Sequence, residues 1–515
     1  MDGEHSPSMA ADSIAPESQR LLERSAAKES RQLIDEQPGP AARPTWRRWA
    51  TGGLVLAAGA ACAASAAVLR QQTRSSAAQV TADSLRKPFK LYDTSAKGCV
   101  AMPTRADQYD GMTDERPVEV KDKDGTASVF VVGDWGATLP AHITFASNGV
   151  DGNAQITVAD AMKNRAAWAD PQYLLNVGDN FYVEGLEHSC NAPPNDVADT
   201  TKAAFSSAWQ GIYGPLANKP WLSVLGNHDY GGWRFDKGWP QQIGYSFMNY
   251  NWIMPARYFM KRMTHSNFVV DYFMIDSNAY DAKDMNGPNP DHNICSSHNN
   301  GGVSTCAANG GIPNIPSCKK WFWDSYAKQK QWLEQKISKS DADWKVVVTH
   351  FPCGYDASYY KGLKAKYGLD LLATGHRHQQ ELWRPGTKSK YVQGFLKANA
   401  WDGSAPACFV TGGGGGIVSQ KFAYADYGED LLWYGFFHLS INKKWMNIEL
   451  VGVDGKVAGN WTIFPHGSAK AKEQASQKLQ EGGLCASFCG DMNNPWEKVC
   501  GWMSCAACKG CEGKR

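Results

Sequence analysis

The sequence lacks an excess of charge of either sign. Its 53 Lys and Arg and 51 Asp and Glu leave a net charge of +2 at pH 7 over 515 residues, with a pI near 7.8. A strongly basic nucleic-acid-binding protein and a strongly acidic scaffold are therefore excluded, and we expect no nucleic-acid partner. Aromatic residues are plentiful: 20 Trp, 20 Tyr and 19 Phe predict a densely packed, folded body.

Long apolar runs are scarce, and the most notable one lies near the N-terminus. Residues 49–69, "WATGGLVLAAGAACAASAAVL", form a stretch of 21 residues without a charge. At about 1.5 Å per helical residue, this stretch would just cross a hydrocarbon core of roughly 30 Å. We therefore predict a transmembrane signal anchor at residues 49–69. A buried helix and a cleaved signal peptide are the alternatives; charged flanks disfavour the first, and the long leader disfavours the second.

Residues 1–48 are rich in Ser, Glu, Arg and Pro, which predicts a disordered cytosolic tail. In this tail "ESQRLL" and "ESRQLI" each place a glutamate four residues before a Leu-Leu or Leu-Ile pair. They resemble acidic dileucine signals, which implies sorting adaptors as partners and a lysosomal or vacuolar location; the cell surface is the alternative location. Two turns of amphipathic helix are the alternative. Residues 70–120 are predicted to be a stalk or linker.

The 14 cysteines are too many for a typical reduced cytosolic enzyme without zinc modules. They predict disulfides and a lumenal or extracellular position for the large C-terminal part. Cys295, Cys306 and Cys318 lie in a Gly- and Asn-rich segment, residues 281–320, that we interpret as a loop insertion. A metal site that joins these cysteines to His292 and His298 is the alternative. Residues 467–515 form a Cys-rich tail, either a disulfide knot or a zinc module.

Five apolar, β-branched runs each end in polar residues. They are SVFVVGDWG, YLLNVGDNFY, WLSVLGNHD, WKVVVTH and LDLLATGHRH. Runs of this kind are typical of strands buried on both faces of a sheet. Segments between them indicate helices, for example residues 324–340, where Trp332, Leu333 and Ile337 recur at helical spacing. The alternation predicts an α/β fold with an active site at the C-terminal ends of the strands.

The strand ends carry seven side chains that can bind metal through oxygen or imidazole nitrogen. They are Asp134, Asp179, Tyr182, Asn227, His350, His376 and His378. Each of them alone could be a turn former, a cap or a satisfied strand-end histidine. Together they are too many for one tetrahedral zinc ion and enough for two metal ions that share a ligand. The sequence therefore predicts a dinuclear metal site.

The motifs GDWG, GDNFY, GNHD, VVTH and GHRH, in this order, resemble the metallophosphoesterase superfamily. The tyrosine of GDNFY makes them similar to the purple acid phosphatases. "IGYSFMNYNWIMPARYF" and "QKQWLEQKISKSDADWKVVVTHFP" resemble the tartrate-resistant, type 5 branch. The resemblance covers roughly residues 125–465, so we assign residues 121–466 to a calcineurin-like metallophosphoesterase domain. It implies a four-layer α/β/β/α sandwich with a dinuclear metal site at the C-terminal ends of the strands.

The resemblance also implies a role for each motif residue. Ferric iron would be bound by Asp134, Tyr182 and His378, a divalent iron, zinc or manganese ion by Asn227, His350 and His376, and both ions by Asp179. His228 would face the phosphate. The implied function is an acid phosphatase that hydrolyses phosphate monoesters with a metal-activated hydroxide. The alternatives are a phosphodiesterase or pyrophosphatase on the same scaffold, and a membrane-anchored binding protein with a vestigial site.

One departure from the tartrate-resistant pattern concerns the proton donor. Those enzymes have a second substrate-side histidine shortly after the VVTH motif, but here no histidine lies between His350 and His376. Tyr355, Tyr359 or Tyr360 occupies that neighbourhood. Protonation of the leaving group would then rest on His228 alone, on a tyrosine or on water.

A glycosylation sequon at residues 460–462 fits a lumenal domain.

Overall fold

The computed structural model describes residues 100–114, 120, 122, 124–136, 153–302, 304–383, 404–417 and 434–467. The predicted cytosolic tail, the predicted anchor at residues 49–69 and all but the first residue of the Cys-rich tail lie outside these ranges. Within them, no helix is both long enough and apolar enough to span a membrane.

The described strands form two mixed sheets of seven strands each. The first sheet has the order β1 (Met112–Asp114), β6 (Phe259–Thr264), β7 (Val269–Met274), β8 (Trp344–Val348), β9 (Leu371–Thr374), β11 (Ala407–Thr411) and β10 (Gln380–Trp383). The second sheet has the order β14 (Val457–Ile463), β13 (Met446–Gly452), β12 (Gly435–Ile441), β2 (Ala127–Val132), β3 (Tyr173–Asn176), β4 (Trp221–Ser223) and β5 (Trp252–Ile253).

Helices connect the strands. The α-helices of the described ranges are α1 (Ala154–Ala169), α2 (Asp199–Ala204), α3 (Gly211–Tyr213), α4 (Asn227–Tyr230), α5 (Trp239–Ser246), α6 (Ile315–Ile337) and α7 (Ala357–Tyr367). A π-helical turn spans Phe205–Gln210, and short 3₁₀ turns span Gly214–Asn218, Asn278–Asp281, Pro290–His292 and Ala307–Asn309.

The predicted strands before the five motifs are confirmed, and their pairing brings the motifs together. β2, β3 and β4 are parallel neighbours in the second sheet, and β8 and β9 are parallel neighbours in the first. All five strands have buried side chains along nearly their whole length, which explains their continuous apolar sequences. Three motifs therefore follow strand ends of the second sheet, and two follow strand ends of the first.

The two sheets pack face to face, and helices cover their outer faces. Phe409 of the first sheet stacks on Phe437 of the second with ring centroids 4.2 Å apart. On the outer face of the first sheet, Leu333 of α6 and Leu363 of α7 join a buried cluster with β-strand residues. On the second sheet, Arg165 of α1 donates a hydrogen bond of 2.9 Å to Nδ1 of His438 in β12. The fold is thus an α/β sandwich built on two mixed sheets.

Helix α6 begins nine positions earlier than the predicted helix at residues 324–340. Asn314 caps it, because its side chain accepts a hydrogen bond of 2.9 Å from the backbone N–H of Ser317, and Pro316 lies in the first turn. Ser, Pro and Cys in this first part of the helix obscure the helical apolar spacing on which the prediction relied.

The folded body also includes residues that the sequence placed in the stalk. β1 pairs with β6 in parallel. The indole Nε1 of Trp332 donates a hydrogen bond of 2.6 Å to the carbonyl of Gly111, and the Arg257 guanidinium pairs with the Asp110 carboxylate. These contacts join segments far apart in the chain, so local composition did not reveal them.

Three disulfides join cysteines of the described residues: Cys190–Cys306, Cys295–Cys318 and Cys353–Cys408. The prediction of disulfides is confirmed, and the alternative thiolate site with His292 and His298 is excluded because all three insertion sulfurs are in disulfides. Cys190–Cys306 joins the insertion to the chain after Tyr182, and Cys295–Cys318 joins the first half of the insertion to the first turn of α6, at its end. Asn460 of the sequon lies on β14, at one edge of the second sheet as described.

Candidate metal centre

Four of the predicted ligands meet around the hydroxyl of Tyr182. This oxygen lies 2.7 Å from Oδ2 of Asp179, 3.3 Å from Oδ1 of Asp134 and 3.3 Å from Nε2 of His378. The ligand atoms of Asp134, Asp179 and His378 lie within 4.8 Å of one another. Both carboxylates and the phenol are buried. Residues from the ends of β2, β3 and β9 thus form one group of ligand atoms.

The other three predicted ligands form a second group. Oδ1 of Asn227 lies 3.0 Å from Nε2 of His350 and 3.0 Å from Nδ1 of His376. Nε2 of His350 also lies 3.4 Å from Oδ2 of Asp179. That carboxylate oxygen therefore touches both groups, which is the position a bridging ligand would hold.

The hydrogen-bond chemistry of these atoms fits cations. The Nδ1–H of His350 donates to the carbonyl of Val177 at 2.9 Å, so Nε2 is the ring nitrogen left facing Asn227. The amide oxygen of Asn227 can only accept, and so can both carboxylates. The phenol of Tyr182 has one proton among three acceptors. Two cations, one in each group, would satisfy these lone pairs together.

Comparison with known proteins gives the family. Residues 127–380 match the calcineurin-like phosphoesterase family. This part of the chain is a calcineurin-like phosphoesterase domain. Purple acid phosphatase 7 of Arabidopsis thaliana is 29% identical over 302 residues, which cover 56% of this chain and 75% of the relative. Tartrate-resistant acid phosphatase type 5 of Oryctolagus cuniculus is 21% identical over 342 residues, which cover 64% of this chain and 89% of the relative. These relatives support the assignment of this domain to the purple acid phosphatase family.

A solved structure entitled "GAP50 the anchor in the inner membrane complex of Plasmodium" aligns with 69% of this chain and 94% of its own chain. The TM-score is 0.42 and the sequence identity is 17%.

His228 of the phosphoesterase domain lies beside the ligands. Its ring centroid is 4.5 Å from that of Tyr182. Its Nδ1–H donates to the carbonyl of Val183 at 2.5 Å, and its backbone N–H donates to Oδ1 of Asp179 at 2.9 Å. The side chain is half-buried, so Nε2 is the nitrogen through which this histidine can meet a substrate.

Three ligand positions have left-handed backbone. Asp134 has φ of 57°, Asp179 of 53° and His376 of 70°. Such conformations cost non-glycine residues about 1–2 kcal/mol and persist where the surroundings enforce them. One enforcing contact is the backbone N–H of His376, which donates to Oδ2 of Asp134 at 3.0 Å. Another is the close approach of the Gly226 backbone to the Asp179 carboxylate. A Cβ on Gly226 would overlap this carboxylate, so only glycine fits there.

A buried carboxylate, Asp229, supports both motif loops. It accepts hydrogen bonds from the backbone N–H of Asn180 at 2.9 Å, of Phe181 at 3.2 Å and of Gly226 at 2.7 Å. The side-chain amide of Gln242 donates to it at 2.8 Å. One side chain thus ties the GDNFY loop to the GNHD loop and fixes the distance between Asp179 and Asn227.

The clustered ligands alter one another's acidity. Burial raises the pKa of Asp134 well above its usual range, and burial together with the two carboxylates raises the pKa of Tyr182. Burial lowers the pKa of His378 to about 3. Burial alone would lower the pKa of His350, but Asp179 and Asp134 outweigh it and raise the pKa to about 10. In the phosphoesterase domain the His350 proton thus balances carboxylate charge, and a cation would replace that proton.

Sequence reasoning missed the glycine run at residues 412–416, which follows β11. The N–H of Gly416 donates to the carbonyl of Asp134 at 2.8 Å, and that of Gly414 donates to the carbonyl of Gly133 at 3.1 Å. A Cβ on Gly416 would overlap the ring of Tyr182. Five consecutive glycines after an apolar run were the available signal, because such runs mark close backbone approach.

The three tyrosines after VVTH take different places. Tyr355 packs on Phe351 with ring centroids 5.3 Å apart, and Phe351 stacks on His376 at 4.2 Å. Tyr360 lies in the hydrophobic core, and the hydroxyl of Tyr359 donates to a backbone carbonyl of α6 at 3.0 Å. Of the three, Tyr355 is therefore the one that contacts a neighbour of a predicted ligand, because Phe351 packs on both Tyr355 and His376.

Proposed function

We propose that the domain is an acid phosphatase that hydrolyses phosphate monoesters with a dinuclear centre of Fe(III) and divalent iron, zinc or manganese. The observation that carries the proposal is the pair of ligand groups joined through Oδ2 of Asp179, which lies 2.7 Å from the Tyr182 hydroxyl and 3.4 Å from Nε2 of His350. A carboxylate shared between two ligand sets would hold two metal ions close together, which two-metal hydrolysis requires.

The two groups differ in charge, and the difference supports two different metals. The group around Tyr182 offers a phenol and the Asp134 carboxylate, hard anionic ligands that suit a trivalent ion. The group around Asn227 offers an amide oxygen and two imidazoles that would be neutral once a cation replaces the His350 proton, and such ligands suit a divalent ion. When bound, the two cations would neutralise phosphate oxygens, polarise phosphorus and supply the attacking hydroxide.

In this proposal His228 serves the leaving group. Its Nδ1–H is engaged by the carbonyl of Val183, so Nε2 is left for a hydrogen bond or a proton toward the ester oxygen. Its backbone N–H holds Oδ1 of Asp179, which keeps the imidazole in register with the bridging carboxylate. Tyr355 is the second candidate donor. Of the three tyrosines, it is the one whose ring packs on Phe351, which stacks on His376.

The test is to measure metal content and hydrolysis on the purified full chain. We expect two metal ions per chain, at least one of them iron, and turnover of 4-nitrophenyl phosphate at acidic pH. Bis(4-nitrophenyl) phosphate and pyrophosphate should be hydrolysed much more slowly. Faster hydrolysis of the diester or of pyrophosphate would instead favour the alternative activities. A protein that binds both metals and hydrolyses none of the three would contradict the proposal.

We also propose that the chain is a single-pass membrane protein whose phosphoesterase domain lies in a lumen or outside the cell. The three disulfides support an oxidising compartment. Protease added from the cytosolic side should digest residues 1–48 and spare the domain. Changing Leu21-Leu22 and Leu33-Ile34 to alanine should shift the protein toward the cell surface if adaptors read these pairs. A mature N-terminus near residue 70 would replace the anchor with a cleaved signal.

A further inference from the structure

A groove lies between the start of the insertion and the first turns of α6. Its volume is about 630 Å³, and its lining includes Met285, Ile315 and Trp323. This volume is in the range of sites that bind small organic groups. Met285 is 38% exposed and Trp323 is 39% exposed, although both are large apolar side chains. Exposed apolar side chains that line one concave surface indicate a binding site.

The charges at the rim of the groove are balanced. Nζ of Lys319 lies 3.0 Å from Oδ1 of Asp284, and Nζ of Lys320 lies 2.5 Å from Oδ2 of Asp324. Nζ of Lys283 contacts the carbonyl of His292 at 2.5 Å. Because each of the first two ammonium groups already has a carboxylate partner, the groove suits a neutral apolar group better than a second phosphate.

Aromatic contacts connect the groove to the metal centre. The ring of Trp323 lies 5.3 Å from that of Tyr280, and Tyr280 lies 5.7 Å from Phe351. Phe351 in turn stacks on His376, a predicted metal ligand, at 4.2 Å. Three successive ring contacts, of 5.3, 5.7 and 4.2 Å, therefore separate the groove from the predicted ligand His376.

The spacing limits what can reach the groove. Two rings, those of Tyr280 and Phe351, lie in succession between Trp323 and His376. An aryl group bonded directly to the ester oxygen is too short to extend past both rings. An extended peptide advances about 3.3 Å per residue, so a side chain a few residues from a phosphorylated residue can extend past both rings.

We propose that the groove lined by Met285, Ile315 and Trp323 is a peptide subsite that binds an apolar side chain a few residues away from the phosphorylated residue of a phosphoprotein substrate. The inference rests on the proposed phosphatase activity and adds to it a subsite for the peptide part of the substrate. The phosphate is bound at the metal centre, the peptide backbone runs past Tyr280, and the apolar side chain packs on the Trp323 indole.

The test uses the metal-loaded full chain and phosphoserine peptides in which one leucine is moved along an alanine background, up to about four residues to either side of the phosphoserine. One leucine position should raise kcat/KM about ten-fold over the all-alanine peptide, mainly through KM, because a leucine side chain becomes buried. Trp323→Ala and, separately, Met285→Ala should bring this ratio close to one. The ratio compares two peptides in one protein sample, so a general loss of activity cancels.

Trp168→Ala is the matched control, because this indole is 45% exposed but lies on α1, away from the groove. Its leucine-to-alanine ratio should equal that of the wild type. A wild type that hydrolyses 4-nitrophenyl phosphate but shows no leucine preference would overturn the subsite. A preference that persists in both groove variants would overturn it as well. A wild type that hydrolyses no monoester would contradict the proposed function, and the subsite would fall with it.

Discussion

Tyr182 and His228 pack against each other, but Tyr182 is a predicted metal ligand and His228 is not. The phenol oxygen of Tyr182 points into the group of ligand atoms, whereas the ring packs on the His228 imidazole at 4.5 Å. His228 itself is fixed through Nδ1 and its backbone N–H, so its remaining nitrogen is the one free to serve chemistry. At the scale of single residues, one mutation at Tyr182 can therefore test metal binding, and another at His228 can test proton donation.

Tyr182→Phe tests the metal assignment. A phenolate bound to ferric iron gives a charge-transfer band in the visible spectrum, so oxidised wild type should be coloured and Tyr182→Phe should lose the band. The ring remains to fill the buried site, and circular dichroism should be unchanged. Visible absorption and iron content are measured on the same samples. A colourless wild type with a full complement of iron would rule out the Tyr182 ligand.

His228→Ala tests proton donation. Loss of a general acid costs about 10²–10⁴ in rate, and the cost is greatest for leaving groups that need a proton. We expect kcat to fall strongly on alkyl phosphates and less on aryl phosphates, with metal content intact. His298→Ala, which removes an exposed imidazole of the insertion, is the control. Equal losses on both substrate types would mean that His228 binds phosphate without donating the proton.

At the scale of secondary-structure elements, the sequence predicted the site better than its surroundings. The strand ends before Asp134, Asp179 and His350 could be predicted because an apolar run that stops at a polar residue is a local signal. The close packing of Gly416 on Tyr182 could not, because it depends on how the loop after β11 returns to a different sheet. The early start of α6 was missed for a local reason, since its first turn has a cap and a proline but little apolar periodicity.

Gly416→Ala tests the role of the glycine run. The added methyl group would overlap the Tyr182 ring, and overpacking of this kind costs about 1–3 kcal/mol. We expect weaker iron binding and a shifted or absent visible band. Gly302→Ala is the matched control, because a methyl group there would meet no atom within 4 Å. An unchanged band in Gly416→Ala would show that the loop yields without moving Tyr182.

The β6–β7 hairpin carries a pH-dependent contribution to stability. His265 stacks on Phe268 at 4.2 Å and lies 3.4 Å from the hydroxyl of Tyr173. Burial lowers its pKa from 6.5 to about 4, against an opposing effect of Asp122. The unfolded chain therefore binds a proton at higher pH than the folded one does. The contribution is complete above about pH 6.5 and is lost as the pH falls toward 4.

The free energy of unfolding should therefore fall by up to about 3 kcal/mol over this window because of His265. His265→Phe keeps a ring against Phe268 and cannot be protonated. Denaturant unfolding of both proteins at several pH values should show that the wild type loses stability relative to the variant as the pH is lowered. A constant difference across the window would show that His265 does not titrate with unfolding.

For the whole molecule, the centre joins the two sheets. Asp134, Asp179 and Asn227 follow strands of the second sheet, whereas His350 and His376 follow strands of the first. Metal ions bound between them would act as links across the sandwich, in addition to the apolar contact between the sheets. Their loss would also leave two buried carboxylates with less positive charge nearby.

Removal of metal should therefore lower the melting temperature. Ligands that bind only the folded state stabilise it by about 4 kcal/mol at a thousand times their dissociation constant. A chelator should lower the Tm of the wild type by several degrees, and readdition of metal should restore it. Asp179→Asn should lose both ions, because its carboxylate joins the two groups, and its Tm should not respond to chelator. A variant that keeps two ions and near-normal turnover would rule out the bridge.

The place of Asn460 on β14 has a consequence for solubility. β14 pairs only with β13 among the described strands, so it is an edge strand of the second sheet in that part of the chain, and edge strands are where a second molecule can extend a sheet. A sugar chain on Asn460 would stand on this edge strand and hinder such an extension. Glycosylation at this position would then protect the protein from edge-to-edge aggregation, independently of any effect on catalysis.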